Sequence, residues 1–121
     1  MEEAIQTAIS QGRLLQGSNI ELGDEGTGPV VGKVRDTYSW QGDKLVLVTT
    51  ARQSAFDRVI AQIPFKGQVL NRVSEWWFER TRSIVGNALL AVPHANVSVM
   101  KNCTVFPVEF VVRGYITGST R

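Results

Sequence analysis

Two runs rich in β-branched and aromatic residues, 31–40 and 44–50, lie on either side of Gln41-Gly42-Asp43. That pattern predicts an antiparallel hairpin, because such side chains fit a pleated surface and a short glycine-containing insert reverses the chain. In the second run Leu45, Leu47 and Thr49 alternate with Val46, Val48 and Thr50, so both faces are largely apolar. A strand of that kind is central in its sheet and needs a cover on each face. The clearest cover is a helix over 67–84, where Leu70, Val73, Trp77 and Ile84 recur at helical spacing and Gly86-Asn87 marks the end. Trp76, Trp77 and Phe78 fan around that helix, and packing against the sheet is their expected role, with ligand stacking the alternative. Further strands are expected at 97–100 and 104–116, the latter carrying Pro107 at a start, an edge or a bulge. The sum is an α+β fold, a mainly antiparallel sheet with one long packed helix.

Upstream, Ile5, Ile9 and Leu14 or Leu15 predict a short amphipathic helix over 3–16, broken by Gly17. The stretch GDEGTGPVVG at 23–32 reads as a flexible connector and not as a packed element. The organisation expected is a helix and glycine-rich linker over 1–29 followed by a single lobe over 30–121. A hydrophobic fraction of 43% with 20% charged residues excludes a disordered or coiled-coil chain. A formal charge of +2 without a basic run argues against a nucleic-acid partner. Cys103 is the single cysteine, which excludes an internal disulfide and points to a reducing compartment. A buried small hydrophobe is its expected role, and His94 is expected in a surface loop. No apolar stretch approaches the roughly 20 residues of a membrane span, and Met1-Glu2-Glu3 resembles neither a signal nor a transit peptide. The expected setting is therefore cytoplasmic, with no membrane partner.

Three segments could carry chemistry. A glycine turn followed by Lys33-Val34-Arg35 would place both cations on one strand face, an arrangement suited to a triphosphate; an exposed basic strand face is the alternative. Neither GxGxxG nor GxxxxGK[ST] occurs. Ser54-Ala55-Phe56-Asp57 fits a helix capping box, and Pro64-Phe65-Lys66-Gly67 fits a turn before the long helix with Lys66 solvated. Arg113-Gly114-Tyr115-Ile116-Thr117-Gly118-Ser119 has the composition of an anion pocket, an arginine fork with a hydroxyl and an unobstructed backbone at Gly118; a tight turn after an edge strand is the alternative.

Taken together, GKVRDTY at 32–38, LVLVTTARQSAFDRV at 45–59, IPFKGQVLNRVSEWWF at 63–78 and FPVEFVVRGYITGST at 106–120 resemble, in order and spacing, the N-terminal part of the SAICAR synthetase family. The wording of the second and third stretches is nearest the plant-type enzymes, which adds the plastid to the cytoplasm as an expected location. The resemblance implies an ATP-dependent ligase of purine biosynthesis whose small-molecule substrates are ATP, L-aspartate and carboxyaminoimidazole ribonucleotide. It also implies a kinase-related fold in which this part lies over ATP. Carried over by motif, Gly32, Lys33 and Arg35 meet the nucleotide phosphates, with Lys33 and Arg35 catalytic. Glu109 and Val111 fall at the hinge that reads the adenine edge. Arg113, Gly118 and Ser119 match the ribonucleotide site, and Ser54, Asp57 and Lys66 line the same cleft. Ala51 stands where the family usually has Asp. The family continues well beyond the length of this chain, and the acidic ligands for Mg2+ are expected in that further part, so these 121 residues are expected to be an inactive fragment. A non-catalytic nucleotide- or nucleic-acid-binding module is the competing reading.

Overall fold

The computed structural model describes residues 14–115. Among the described residues, seven strands and one α-helix follow in the order β1 (Gly26–Val31), β2 (Arg35–Trp40), β3 (Lys44–Thr49), β4 (Arg52–Ala55), β5 (Arg58–Gln62), α1 (Lys66–Thr81), β6 (Leu89–His94) and β7 (Val97–Lys101). Five of the strands form one antiparallel sheet in the order β1-β2-β3-β7-β6, and β4-β5 form a separate hairpin. The expected hairpin is β2-β3, paired from Arg35 opposite Thr49 to Trp40 opposite Lys44. Gln41 and Gly42 turn the chain with φ of 55° and 72°, the left-handed region that a tight reversal needs. As its two apolar faces demand, β3 is the central strand.

The two faces of the sheet are covered differently. On one, Tyr38, Val46 and Val48 are buried, with Leu15, Ile20, Leu22, Trp40, Val97 and Val99 packed against them. The cover on this side is the irregular segment 14–22, which the sequence pattern did not reveal as a partner for the sheet. On the other face, Leu47 of β3 pairs with Ser98 of β7 and Leu45 with Met100, and α1 lies opposite.

At its first turn the helix comes closest to the sheet. Phe65, at φ 61°, ends the preceding turn, and Gly67 packs where a Cβ would strike the carbonyl oxygen of Thr49 and approach Nδ2 of Asn96 to 2.6 Å. Asn96 fastens this corner, donating from Nδ2 to that same carbonyl (2.7 Å) and accepting from the Thr49 amide (2.8 Å). The buried residues of the helix are Gly67 and Asn71.

Several expectations fail. The helix ends at Thr81, and its apolar stripe does not pack: Leu70, Val73 and Trp77 are about half exposed and Ile84, beyond the helix, more so. The side turned toward the sheet carries Gly67, Asn71 and Ser74 with Phe78 and the half-exposed Leu70, because contact at Gly67 fixes the rotation of the helix. The aromatic run is divided: Phe78 turns toward the sheet, whereas Trp76 and Trp77 stand exposed with their rings edge to face, and Arg80 lies over Trp76. Residues 23–32 are not a loose connector, since Gly26–Val31 form the edge strand β1 against β2. The strand expected from 104 to 116 does not form in 104–115: Val105, Phe106, Val108, Phe110, Val111, Val112 and Tyr115 are exposed and irregular, because a strand needs a neighbour to pair with. Cys103 is exposed, not buried. The helix expected over 3–16 falls largely outside the described residues, and its last residues, 14–16, are not helical.

Candidate functional site

The Gly32-Lys33-Val34-Arg35 turn joins β1 to β2 and is held at several points. Gly32 N donates to the Arg35 carbonyl (2.8 Å), while the Val34 carbonyl accepts from both the amide (3.0 Å) and the hydroxyl (2.8 Å) of the fully buried Thr50. The Gly32 carbonyl accepts from Nη2 of Arg52 at 2.9 Å.

That same guanidinium nitrogen reaches Oδ1 of Asp36 at 2.6 Å, an ion pair whose side chains are 11% and 1% exposed. Nη1 of Arg52 donates to the Gln16 carbonyl at 2.6 Å. Ser18 completes the carboxylate's shell, with amide and hydroxyl both 2.8 Å from Oδ2, and its hydroxyl also meets Tyr38 OH at 2.8 Å. Burial pushes the Asp36 carboxyl up, but the hydrogen bonds from Arg52 and Ser18 and the charge of Arg52 outweigh it and hold the carboxyl below its ordinary value. A buried charge is tolerated here because its partner and donors are all in place.

The nominated residues are distributed around this hub. Lys33 lies in a bend and not in the strand, so the two-residue period that would align it with Arg35 does not run through it. Its ammonium instead pairs with the carboxylate of Asp57, at side-chain exposures of 60% and 85%. That contact holds the Asp57 carboxyl below its usual range, through the hydrogen bond first and the charge second. Asp57 is not part of a helix cap. Ser54 pairs with Val59 and Ala55 with Arg58, so Phe56-Asp57 is the two-residue turn of the β4-β5 hairpin, with φ of 49° and 63°. Lys66 is not simply solvated: its Nζ donates to the Arg52 carbonyl at 2.9 Å. Ala51 is buried, its amide bound to the Leu15 carbonyl and its own carbonyl to the Ile63 amide.

Arg35 takes a different direction and lines a cavity of about 350 Å3 between sheet and helix, together with Leu47, Asn71, Ser74, Phe78 and Met100 among others. Inside it, Oδ1 of the buried Asn71 accepts from the Ser98 hydroxyl at 2.7 Å, and its Nδ2 has no partner. Glu109, Val111 and Arg113 lie in the exposed irregular segment, and Gly118 and Ser119 lie outside the described residues.

Asp36 closes the candidate stretch Gly32–Asp36, yet the sequence pattern assigns no role to it or to Arg52. The available signal was a charged residue in phase with a core face, since Asp36, Tyr38 and Trp40 alternate along β2. A carboxylate in that phase requires a buried cation opposite it.

The SAICAR synthetase family model matches residues 29–121. The chain belongs to this family. A phosphoribosylaminoimidazole-succinocarboxamide synthase of Vigna aconitifolia, named as chloroplastic, is 67% identical over 89 residues, 74% of this chain and 26% of its own length. The synthase of Legionella pneumophila (strain Lens) is also 67% identical over 89 residues, 74% of this chain and 28% of its own. A solved SAICAR synthase from Saccharomyces cerevisiae, complexed with SAICAR, superimposes with a TM-score of 0.70 at 31% identity, covering 84% of this chain and 42% of that one. The chain thus spans about a quarter of the length of the curated SAICAR synthetases it matches. Plant and bacterial members match equally well, so the similarity does not single out the plant type. The mainly antiparallel sheet with one helix is the arrangement shared with the solved family members. Among the described residues no helix is long and apolar enough to cross a membrane.

Proposed function

We propose that this chain forms the nucleotide-covering part of an ATP-dependent carbon–nitrogen ligase of purine biosynthesis, which joins L-aspartate to the carboxylate of carboxyaminoimidazole ribonucleotide. The observation that carries this reading is the 67% identity over 89 residues to enzymes named for that synthesis. In the proposed reaction a carboxylate oxygen of the ribonucleotide takes the γ-phosphoryl group of ATP, which releases ADP and leaves an acyl phosphate. The aspartate amine then attacks the acyl carbon. A C–N bond forms, the C–O bond to phosphate breaks, phosphate departs, and the nitrogen loses a proton. Catalysis of this kind is mostly positioning and charge neutralisation.

Gly32 and Lys33 would face the phosphates, and Arg35, which lines the cavity below α1, would reach them only from that side. The clamped turn supports this, because it presents Lys33 on a short, fixed piece of backbone. The Lys33–Asp57 pair is exposed and therefore weak, so a polyphosphate can take the ammonium from it. Backbone groups at Glu109 and Val111 would read the adenine edge. Arg113, Gly118 and Ser119 would hold the ribonucleotide, while Ser54 and the anchored Lys66 would shape the wall of the cleft. A kinase-related arrangement of the two lobes belongs to the same proposal. The family's chemistry uses Mg2+, yet among the described residues no three His, Cys, Asp or Glu side chains come together, and Asp36 and Asp57 are already taken by cations. The metal does not fit these residues, and no step here is routed through it. The compartment proposed is the cytoplasm or a plastid, the latter by analogy with the chloroplastic relatives.

Release of ADP in the presence of ATP, Mg2+, L-aspartate and the carboxylated ribonucleotide tests the reading. Full-length protein is expected to turn over, and Lys33→Ala to slow it; an unchanged rate removes Lys33 from the mechanism. The 121 residues alone are expected to give no sustained release, and sustained release from them would overturn that part of the proposal.

A further inference from the structure

We infer that Arg52 is a positioning residue for nucleotide binding, acting through the Gly32–Arg35 turn. This rests on the reading of that turn as the phosphate-facing element. Three observations point the same way. The guanidinium does more than neutralise Asp36, since Nη2 also holds the Gly32 carbonyl at 2.9 Å and Nη1 the Gln16 carbonyl at 2.6 Å. It therefore sets the position of Gly32, the residue immediately before Lys33. The main chain of Arg52 is a second anchor, because its carbonyl takes the Lys66 ammonium at the start of α1 (2.9 Å). Finally, Arg52 opens β4, whose hairpin turn carries Asp57, the partner of Lys33. The turn, the helix start and the hairpin turn thus all refer to one residue.

The geometry needs an arginine. A guanidinium is a planar fork with five N–H donors, and here it serves two carbonyls and a carboxylate lying in different directions. A lysine has a single nitrogen on a flexible stem. Its stem is one bond shorter, so the ammonium can keep the charge opposite Asp36 but falls short of the Nη2 position that also holds Gly32, and it has no second nitrogen for Gln16. Thr50 works on the same turn from a second direction, through the Val34 carbonyl. Loosening either anchor leaves Lys33 chemically intact and lets the backbone that carries it wander, and a misplacement of about 1 Å is enough to weaken a charge-assisted contact substantially.

Steady-state kinetics of full-length protein test this with Arg52→Lys and, separately, Thr50→Val, each alone and combined with Lys33→Ala. For Arg52→Lys the expected result is a KM for ATP raised about tenfold, the scale of one charge-assisted hydrogen bond. The KM for L-aspartate should stay near its original value. In the Lys33→Ala background the further increase should shrink, because both changes act on the same contact. A lower melting temperature with both KM values unchanged, or equal increases in both, would overturn the inference. If Arg52→Lys does not fold, Thr50→Val decides: a selective rise in the KM for ATP supports the two-anchor turn, and no selective rise overturns it. If Lys33→Ala itself leaves the KM for ATP and kcat untouched, the reading of the turn as the phosphate site fails, and this inference with it. An effect of Lys33→Ala without one of Arg52→Lys or Thr50→Val removes the inference alone.

Discussion

The two faces of the five-stranded sheet are built from similar residues and end in different states. Val46 and Val48 lie on the face closed by segment 14–22 and are buried, whereas Leu47 between them looks into a cavity below α1. The closed face also holds the buried Asp36–Arg52 pair and the hydroxyl network of Ser18 and Tyr38. The open face meets a helix that comes close only at Gly67 and Asn71, with Leu70, Ser74 and Phe78 lining the cavity and Val73, Trp76 and Trp77 exposed. Hydrophobicity by itself does not decide burial; the shape and distance of the covering element do.

The largest effect that would break this contrast is expected from Asp36→Asn, which leaves the Arg52 charge buried without its counterion. Urea denaturation should show a loss of about 3–5 kcal/mol. The same group predicts an acid response. Because the folded Asp36 carboxyl is held below its ordinary value of 3.8, its stabilising contribution is complete above that value and is lost as pH falls through the lower folded value. The variant should lack this part of the acid transition, and identical acid profiles would remove Asp36 as its source. Tyr38→Ala on the closed face should cost about 3–5 kcal/mol, and Trp77→Ala on α1, despite its larger ring, less than about 1 kcal/mol. Comparable losses at the two positions would show that the helix face is covered in solution. Gly67→Ala should cost about 1–3 kcal/mol by pushing α1 away from the Thr49 carbonyl, with little effect if the helix can shift freely. The smallest effect is a gain: Phe56 is 99% exposed at a positive φ, so Phe56→Asn should stabilise the β4-β5 turn by about 1 kcal/mol in a thermal melt.

Legibility in the sequence followed the range of the interactions. The β2-β3 hairpin, the central place of β3 and a long helix after Gly67 are local or near-local patterns, and each is present in the structure. The turn at 64–65 before the helix was equally readable. The β4-β5 hairpin was not, because Phe56-Asp57 lacks the glycine that usually announces such a turn, and Ser54 with Asp57 imitates a helix cap. Segment 14–22 is not legible as a cover, because Leu15, Ile20 and Leu22 follow neither a helical nor a strand period. At the candidate site, Gly32, Lys33 and Arg35 were nominated by type and spacing, but their separation into a hairpin-facing lysine and a cavity-facing arginine depends on the bend at Lys33.

From the residues alone came the α+β class, the antiparallel hairpin and the family, since these rest on side-chain periodicity and on four motifs in order. Which face of α1 meets the sheet was decided by the tertiary structure, through the close approach at Gly67. So was the fate of 104–115, where β-branched content equal to that of a strand yields no strand without a neighbouring edge. The partnership of Asp36 with Arg52 was likewise a tertiary matter, because an ion pair between residues 16 apart in sequence is settled only when two strands and a loop bring donor and acceptor within 2.6 Å.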